Sequence, residues 1–271
     1  MRLPSQLVAP LLALVAIGCA TPLREPPPPL TAEPGTRLRD ISIEKARALW
    51  QQRPDLPAVR EAVQIWLRLA AQPAQAPDDQ LTALTRASQA QAWLADHEQE
   101  TGVRETAADG AVHAAQHCRE RFPEQPVCQF WLAVGLGVQA RERAALAKKA
   151  MPMMVEILTQ VAAADPQIER GGPDRVLALV YLRAPGWPIG PGDEELGLEH
   201  AKNAVAIDPD YPPNLLTLGE AWAENGDDQA SRAAYQDARQ AAERMREQRH
   251  PDAPEWLAQA ERALAKLSRR A

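Results

Sequence analysis

The 271-residue sequence has no segment in which β-branched and polar residues alternate, no basic cluster and no glycine-rich phosphate loop. The first absence excludes a sheet protein with a half-buried face. The second excludes a nucleic-acid partner, which needs a basic face to neutralise phosphates. The third, with no Ser or Cys set against a His at an informative spacing, removes the familiar nucleotide-binding and nucleophilic-hydrolase patterns. The apolar run 7–17 is shorter than the roughly 20 residues of a membrane span. Cysteine is scarce, with three in the chain.

What is present begins with an address. MRLPSQLVAPLLALVAIG carries one positive charge at Arg2, a short apolar run and small residues ahead of Cys19, the pattern of a secretory signal. Ala16-Ile17-Gly18-Cys19 resembles a bacterial lipobox, so residues 1–18 are expected to be removed and Cys19 to carry the acyl chains. Ala20 is not the Asp that retains many lipoproteins at the inner membrane, which favours the outer one. Residues 19–39 read as a Pro-rich linker, and the four prolines in REPPPPL favour an extended spacer of about 3.1 Å per residue. Without the signal the chain has 29 basic and 36 acidic residues, a net charge of −7, scattered along its length.

Residues 40–271 are dominated by Ala, Leu, Glu, Gln and Arg, all strong helix formers. The expected fold is all-α, with helices at 40–52, 55–72, 78–100, 104–121, 127–147, 150–164, 173–184, 193–207, 212–225, 228–248 and 253–269. Pro123, Pro166 and Pro209 fall 43 residues apart and Pro251 follows after 42, the period of stacked helix pairs. In LLTLGEAWAENGDDQASRAAYQDA, residues Leu218, Gly219, Trp222, Gly226, Tyr235 and Ala238 have the tetratricopeptide spacing. The preceding unit matches through Leu177, Ala178 and Tyr181, and is about seven residues longer than the 34-residue repeat. The reading is a TPR-like helical solenoid with inserted loops.

The extra residues lie in GGPDRVLALVYLRAPGWPIGPGD, where nine of residues 171–192 are Gly or Pro. Gly172-Pro173 should start a helix, Ala184-Pro185 should stop it, and Asp193 should cap the next. Trp187, set among three prolines, is expected to fold back on the solenoid and be largely buried. Cys118 and Cys128 flank a turn between two helices; they form either a disulfide that clips a hairpin or two buried thiols. His113 and His117 have a ligand-like spacing with no clear third ligand, so no metal is expected, and no cofactor either.

The lipobox, WLAVGLG around Trp131, the GGP…R…Y…PGWP…GD pattern and HAKNAVAIDPDYPPNLLTLGEAW together resemble the TatT family of tetratricopeptide-like lipoproteins associated with TRAP transporters, most clearly over residues 127–225. The resemblance implies an all-helical, lipid-anchored periplasmic protein, a homotrimer with a channel or cavity, a solute-binding protein as partner, and ligands of apolar or organic-acid character. It transfers no catalytic residue. The competing binding role is a scaffold for outer-membrane or cell-envelope assembly. An enzyme would have to rest on Asp193, Glu194, Glu195 and His200, four residues explained as well by a helix N-terminus and a solvated histidine. Arg175, Trp187 and Trp131 are the candidates for a ligand or partner site. Arg175 has a guanidinium fork suited to a carboxylate, or else bridges Asp193 or Glu194 and pins the loop.

Overall fold

The computed structural model describes residues 27–30 and 41–269. Cys19, the signal and most of the linker lie outside these residues. Eleven helices make up the described chain, with no strand among them: α1 (Ile43–Trp50), α2 (Leu56–Ala71), α3 (Pro77–His97), α4 (Thr101–Arg121), α5 (Pro126–Glu142), α6 (Ala144–Ala164), α7 (Gly172–Arg183), α8 (Glu194–Ile207), α9 (Pro212–Glu224), α10 (Asp228–Glu247) and α11 (Ala253–Ser268). None is long and apolar enough to cross a membrane.

Local chemistry sets most of these boundaries. Ser42, Asp55, Asp193 and Asp227 each cap a helix by accepting a backbone N–H three residues on. Proline stands in the first turn of α2, α3, α5, α7, α9 and α11, where its missing donor has no partner to lose. The break between α5 and α6 is different. It falls at Arg143, some four residues before the expected end of the fifth helix, and Pro152 lies inside α6. Arg143 bonds both carboxylate oxygens of Asp109 on α4 at 2.7 and 2.8 Å, so a tertiary ion pair places the bend.

Each helix packs on the next, and the odd-numbered helices also touch in sequence, α1 on α3, α3 on α5, and so on to α11. That pattern defines a two-layer solenoid with the odd helices as the inner layer. The four repeat prolines sit in the turns that follow α4, α6, α8 and α10. Alanine makes the layers close: Ala178, Ala201, Ala204, Ala221 and Ala238 are all fully buried between the later helices. Gly219 serves the same end, since a Cβ there would lie 2.6 Å from the Tyr235 ring.

Cys118 and Cys128 are joined by a disulfide across the α4–α5 turn. Closing so short a loop contributes just under ~3 kcal/mol in the chain-entropy account. Nearby, His117 Nε2 donates to the Pro28 carbonyl at 2.8 Å and Leu30 packs on the first core cluster. These four linker residues therefore lie against the domain instead of standing off as a free spacer.

The inner layer curls far enough for its ends to meet. Arg53, just past α1, bonds both carboxylate oxygens of Asp252 at the start of α11, at 2.7 and 2.8 Å across 199 residues. His97 at the end of α3 reaches Glu255 of α11 at 3.1 Å. The curl leaves an open chamber on the inner face.

Candidate functional site

The chamber measures about 540 Å³ and is walled by α3, α7, α9, α10 and α11. That volume lies within the ~300–1,000 Å³ typical of ligand pockets. Trp93 and Trp256 supply apolar surface from the two ends of the solenoid, and Arg175 and Arg183 project from α7.

Four carboxylates line the wall, and each has a cation. Asp96 pairs with Arg141, Glu220 with Arg183 through two bonds of 2.7 Å, Asp252 with Arg53, and Glu255 with His97. Arg175 is held differently. Its Nη1 donates to Asn214 Oδ1 at 2.7 Å and to the Glu169 carbonyl at 3.2 Å, and its guanidinium carbon lies 5.2 Å from the centre of the Tyr211 ring. Burial pulls the guanidinium below its ordinary pKa; arginine nevertheless stays cationic at neutral pH.

The backbone beneath Arg175 is unusual. Glu169, Arg170 and Gly171 have φ of 46°, 61° and 85°, three left-handed residues in a row. Glycine is needed at 171 twice over, because a Cβ there would also meet the Ala204 carbonyl at 3.0 Å. Asn214, fully buried, holds the turn: its Nδ2 donates to the carbonyls of Ala204, Arg170 and Asp208 at 2.8, 2.9 and 3.1 Å. The first turn of α7 is thereby fixed relative to α9, and Arg175 with it.

His97 is the proton-sensitive member. Its ring stacks on Trp93 with centroids 3.7 Å apart, Nδ1 lies 2.7 Å from the Trp93 carbonyl, and Nε2 faces the Glu255 carboxylate. Both partners are acceptors, so both ring nitrogens must donate, and the geometry is that of an imidazolium. Burial alone would lower its pKa; the bonds to Glu255 and Trp93, with the charges of Glu255 and Asp96, outweigh this and raise it above 6.5. Glu255 is correspondingly held below its ordinary 4.5, first by the His97 bond. The bridge between α3 and α11 is therefore intact from below pH 4.5 to above 6.5, and its stabilisation is lost as pH rises through the His97 value. Thermal melts of wild type and His97→Gln should differ most near pH 6 and converge by pH 9; a constant difference would assign the bond to a neutral histidine.

The sequence candidates separate in space. Arg175 lines the chamber, but it makes no bridge to Asp193 or Glu194. It stands in the first turn of α7 while those residues follow its last, and a 12-residue helix spans about 18 Å between them. Trp131 is 7% exposed and packs edge-on against Phe130 in the core, away from the chamber wall. Trp187 overturns the expectation of burial, at 90% exposed, with Ile189 at 73%. The loop satisfies itself instead: Gly192 N–H bonds the Pro185 carbonyl, Ile189 and Gly190 bond Gly186, and Asp193 N–H bonds Tyr181. Pro185, Pro188 and Ile189 border a hollow shared with Ala147 and Met151 of α6, leaving the indole in solvent.

Asp193 caps α8, and Glu194 and Glu195 occupy its exposed first turn. His200 turns from them to Asp174, at 2.8 Å through Nδ1, and stacks on Tyr181. Among the described residues no group of three His, Cys, Asp or Glu side chains is arranged to hold a metal. Trp93, Asp96, His97, Arg183, Glu255 and Trp256 were not legible as a site from sequence, although Trp93 and His97 in WLADH sit one helical turn apart. No protein-family model matches the chain, and the search of curated proteins found no match to it.

Proposed function

We propose that the protein is a non-catalytic, lipid-anchored binding component of the bacterial envelope, facing the periplasm from the outer membrane. In this reading it docks a TRAP-type solute-binding protein in the manner that the resemblance to TatT proteins implies, and assembles as a homotrimer. The observation that carries it is the apolar tip of the 185–192 loop. Trp187 and Ile189 are exposed together on a segment held by its own backbone bonds, and an exposed tryptophan beside aliphatic surface is the residue most often found at the energetic centre of an interface. The solenoid supports the same role, because stacked helices offer an extended inner surface to a partner or ligand.

The test is co-purification of detergent-extracted protein with a candidate solute-binding protein, for wild type and Trp187→Ala. Because the indole is exposed, the substitution should change stability by no more than about 0.5 kcal/mol while reducing partner capture at least tenfold. Equal capture by the two would remove the loop from the interface. Capture of envelope-assembly proteins in place of the solute-binding protein would favour the scaffold role.

A further inference from the structure

A hollow of about 680 Å³ lies against the neck of the 185–192 loop, where the end of α7, the start of α8 and the end of α9 meet. Asp193, Glu194, Glu195 and Glu224 line it, and no basic side chain does. All four are exposed, and among the described residues none of them is in an ion pair. The inner chamber has the opposite arrangement, since each of its wall carboxylates has a cation. Three of the acids here have a local reason for their place: Asp193 caps α8, and Glu194 and Glu195 stand in its first turn, where the helix dipole favours them. Glu224 has none. It ends α9, where the dipole disfavours a negative charge, and no basic residue in that last turn offsets it. Burial and then the Asp193 charge raise the Tyr181 phenol above its ordinary pKa, so the unpaired charge is felt at the wall of the hollow.

The acids are held in fixed relation to the loop's apolar tip. Asn225 Nδ2 donates to the Glu194 carbonyl and to that of Ala221, both at 2.9 Å, and ties the start of α8 to the end of α9. Asp193 N–H donates to the Tyr181 carbonyl and Gly192 N–H to that of Pro185, which ties both to α7 and the loop. Gly186 walls the hollow, and Trp187 follows it with its Cα about 3.8 Å on. The exposed indole therefore stands beside the acidic hollow, with exposed Ile189 two residues further. On the loop's other flank Lys148 is the one basic lining residue, so carboxylates set the sign of this face. Anionic headgroups of a membrane would be repelled by it. Among the described residues no three of these acids are arranged to hold a metal ion. The surface that complements it is that of a protein carrying ammonium or guanidinium groups next to apolar side chains.

We propose that the loop tip and this hollow form one docking surface for a basic segment of a partner protein, with a lysine or arginine entering among Glu194, Glu195 and Glu224 while an adjacent apolar residue covers Trp187. This rests on the reading of the 185–192 loop as a docking element, and adds the charge of what docks there. The fixed geometry of loop and acids spares the partner the cost of ordering them.

The test measures fluorescence anisotropy of labelled peptides with the full chain carrying Cys19→Ser. The probes are four repeats of Gly-Leu-Arg, of Gly-Leu-Glu and of Gly-Ser-Arg. The Leu-Arg peptide should bind saturably, at least tenfold more tightly than either of the others, and should weaken at least tenfold between about 50 and about 500 mM NaCl as the charges are screened. The triple variant Glu194→Gln, Glu195→Gln, Glu224→Gln changes exposed side chains only and should lose at least tenfold, and so should Trp187→Ala. A control triple at exposed acids on other parts of the chain, Glu44→Gln, Glu124→Gln and Glu247→Gln, should bind as wild type does. Equal losses in the two triples would reduce the effect to net charge and overturn the proposal, as would an indifferent hollow triple or no binding of the Leu-Arg peptide. Undiminished binding in Trp187→Ala, or Ser-Arg matching Leu-Arg, would remove the tip from the surface. The docking role is judged by capture of the solute-binding protein: loss of capture in Trp187→Ala with an indifferent hollow triple would keep that role and sink this proposal, and peptide binding without any capture would do the reverse.

Discussion

Replacing Asp252 with alanine is expected to destabilise the fold by about 3–5 kcal/mol, the range for removing one partner of a buried ion pair. The Arg53 side chain is 4% exposed and Asp252 19%, so the guanidinium is largely shielded from water. What would remain around the guanidinium is the Trp50 carbonyl at 2.6 Å and the Trp50 ring at 3.6 Å, a neutral oxygen and a weak quadrupole. Chemical denaturation would give the loss. The double variant Arg53→Met with Asp252→Leu should recover much of it, because no uncompensated charge is left behind. Small-angle scattering would show whether the inner face also opens, since this pair and the His97–Glu255 bridge join the two ends of the solenoid. A single variant as stable as wild type would mean that Arg53 finds water once the carboxylate is gone.

That pair marks the limit of what the sequence could disclose. Within the C-terminal units the determinants are local and periodic. The repeat prolines, Gly219 and Tyr235 of the tetratricopeptide pattern, and the caps at Asp193 and Asp227 fix helices and turns through neighbours a few residues away or one helix on, so spacing alone reveals them. The all-α solenoid was legible for that reason. The α5–α6 boundary was not, because it is set by Arg143 reaching Asp109 34 residues back. Nor was the curl around the chamber, whose contacts span 199 and 158 residues. No periodicity encodes a contact between the first and last elements of a curled array.

Trp187 shows a different failure. A tryptophan amid prolines suggested a folded-back loop, on the argument that a restricted backbone loses little entropy when fixed. The loop is indeed held, by bonds among Pro185, Gly186, Gly190 and Gly192 and by Asp193 to Tyr181, but those bonds close the loop on itself and need no cover from the indole. Backbone restriction and side-chain burial are separate properties. Arg175 lies between the two cases: its residue type pointed to an anion, whereas the side chain it bonds is the neutral Asn214, 39 residues away.

Asn214 should accordingly be among the least replaceable residues. It is fully buried, and its amide serves three carbonyls while its oxygen accepts from Arg175. Asn214→Leu keeps the volume but takes the donor from the Arg170 carbonyl and the acceptor from Arg175, while the Ala204 and Asp208 carbonyls keep the backbone N–H groups of Asp208 and Tyr211; at about 1–3 kcal/mol for each unsatisfied group the expected loss is about 3–4 kcal/mol. The left-handed residues Glu169 and Arg170 add to it, since a strained turn persists only while its surroundings dictate it. Asn214→Asp is the sharper comparison. It preserves the acceptor toward Arg175 and gives it a charge, but turns an oxygen toward the three carbonyls that the amide now serves. It should therefore lose stability as well, whereas a variant as stable as wild type would mean that the new ion pair with Arg175 outweighs the lost bonds. Chemical denaturation of the two variants decides between these outcomes.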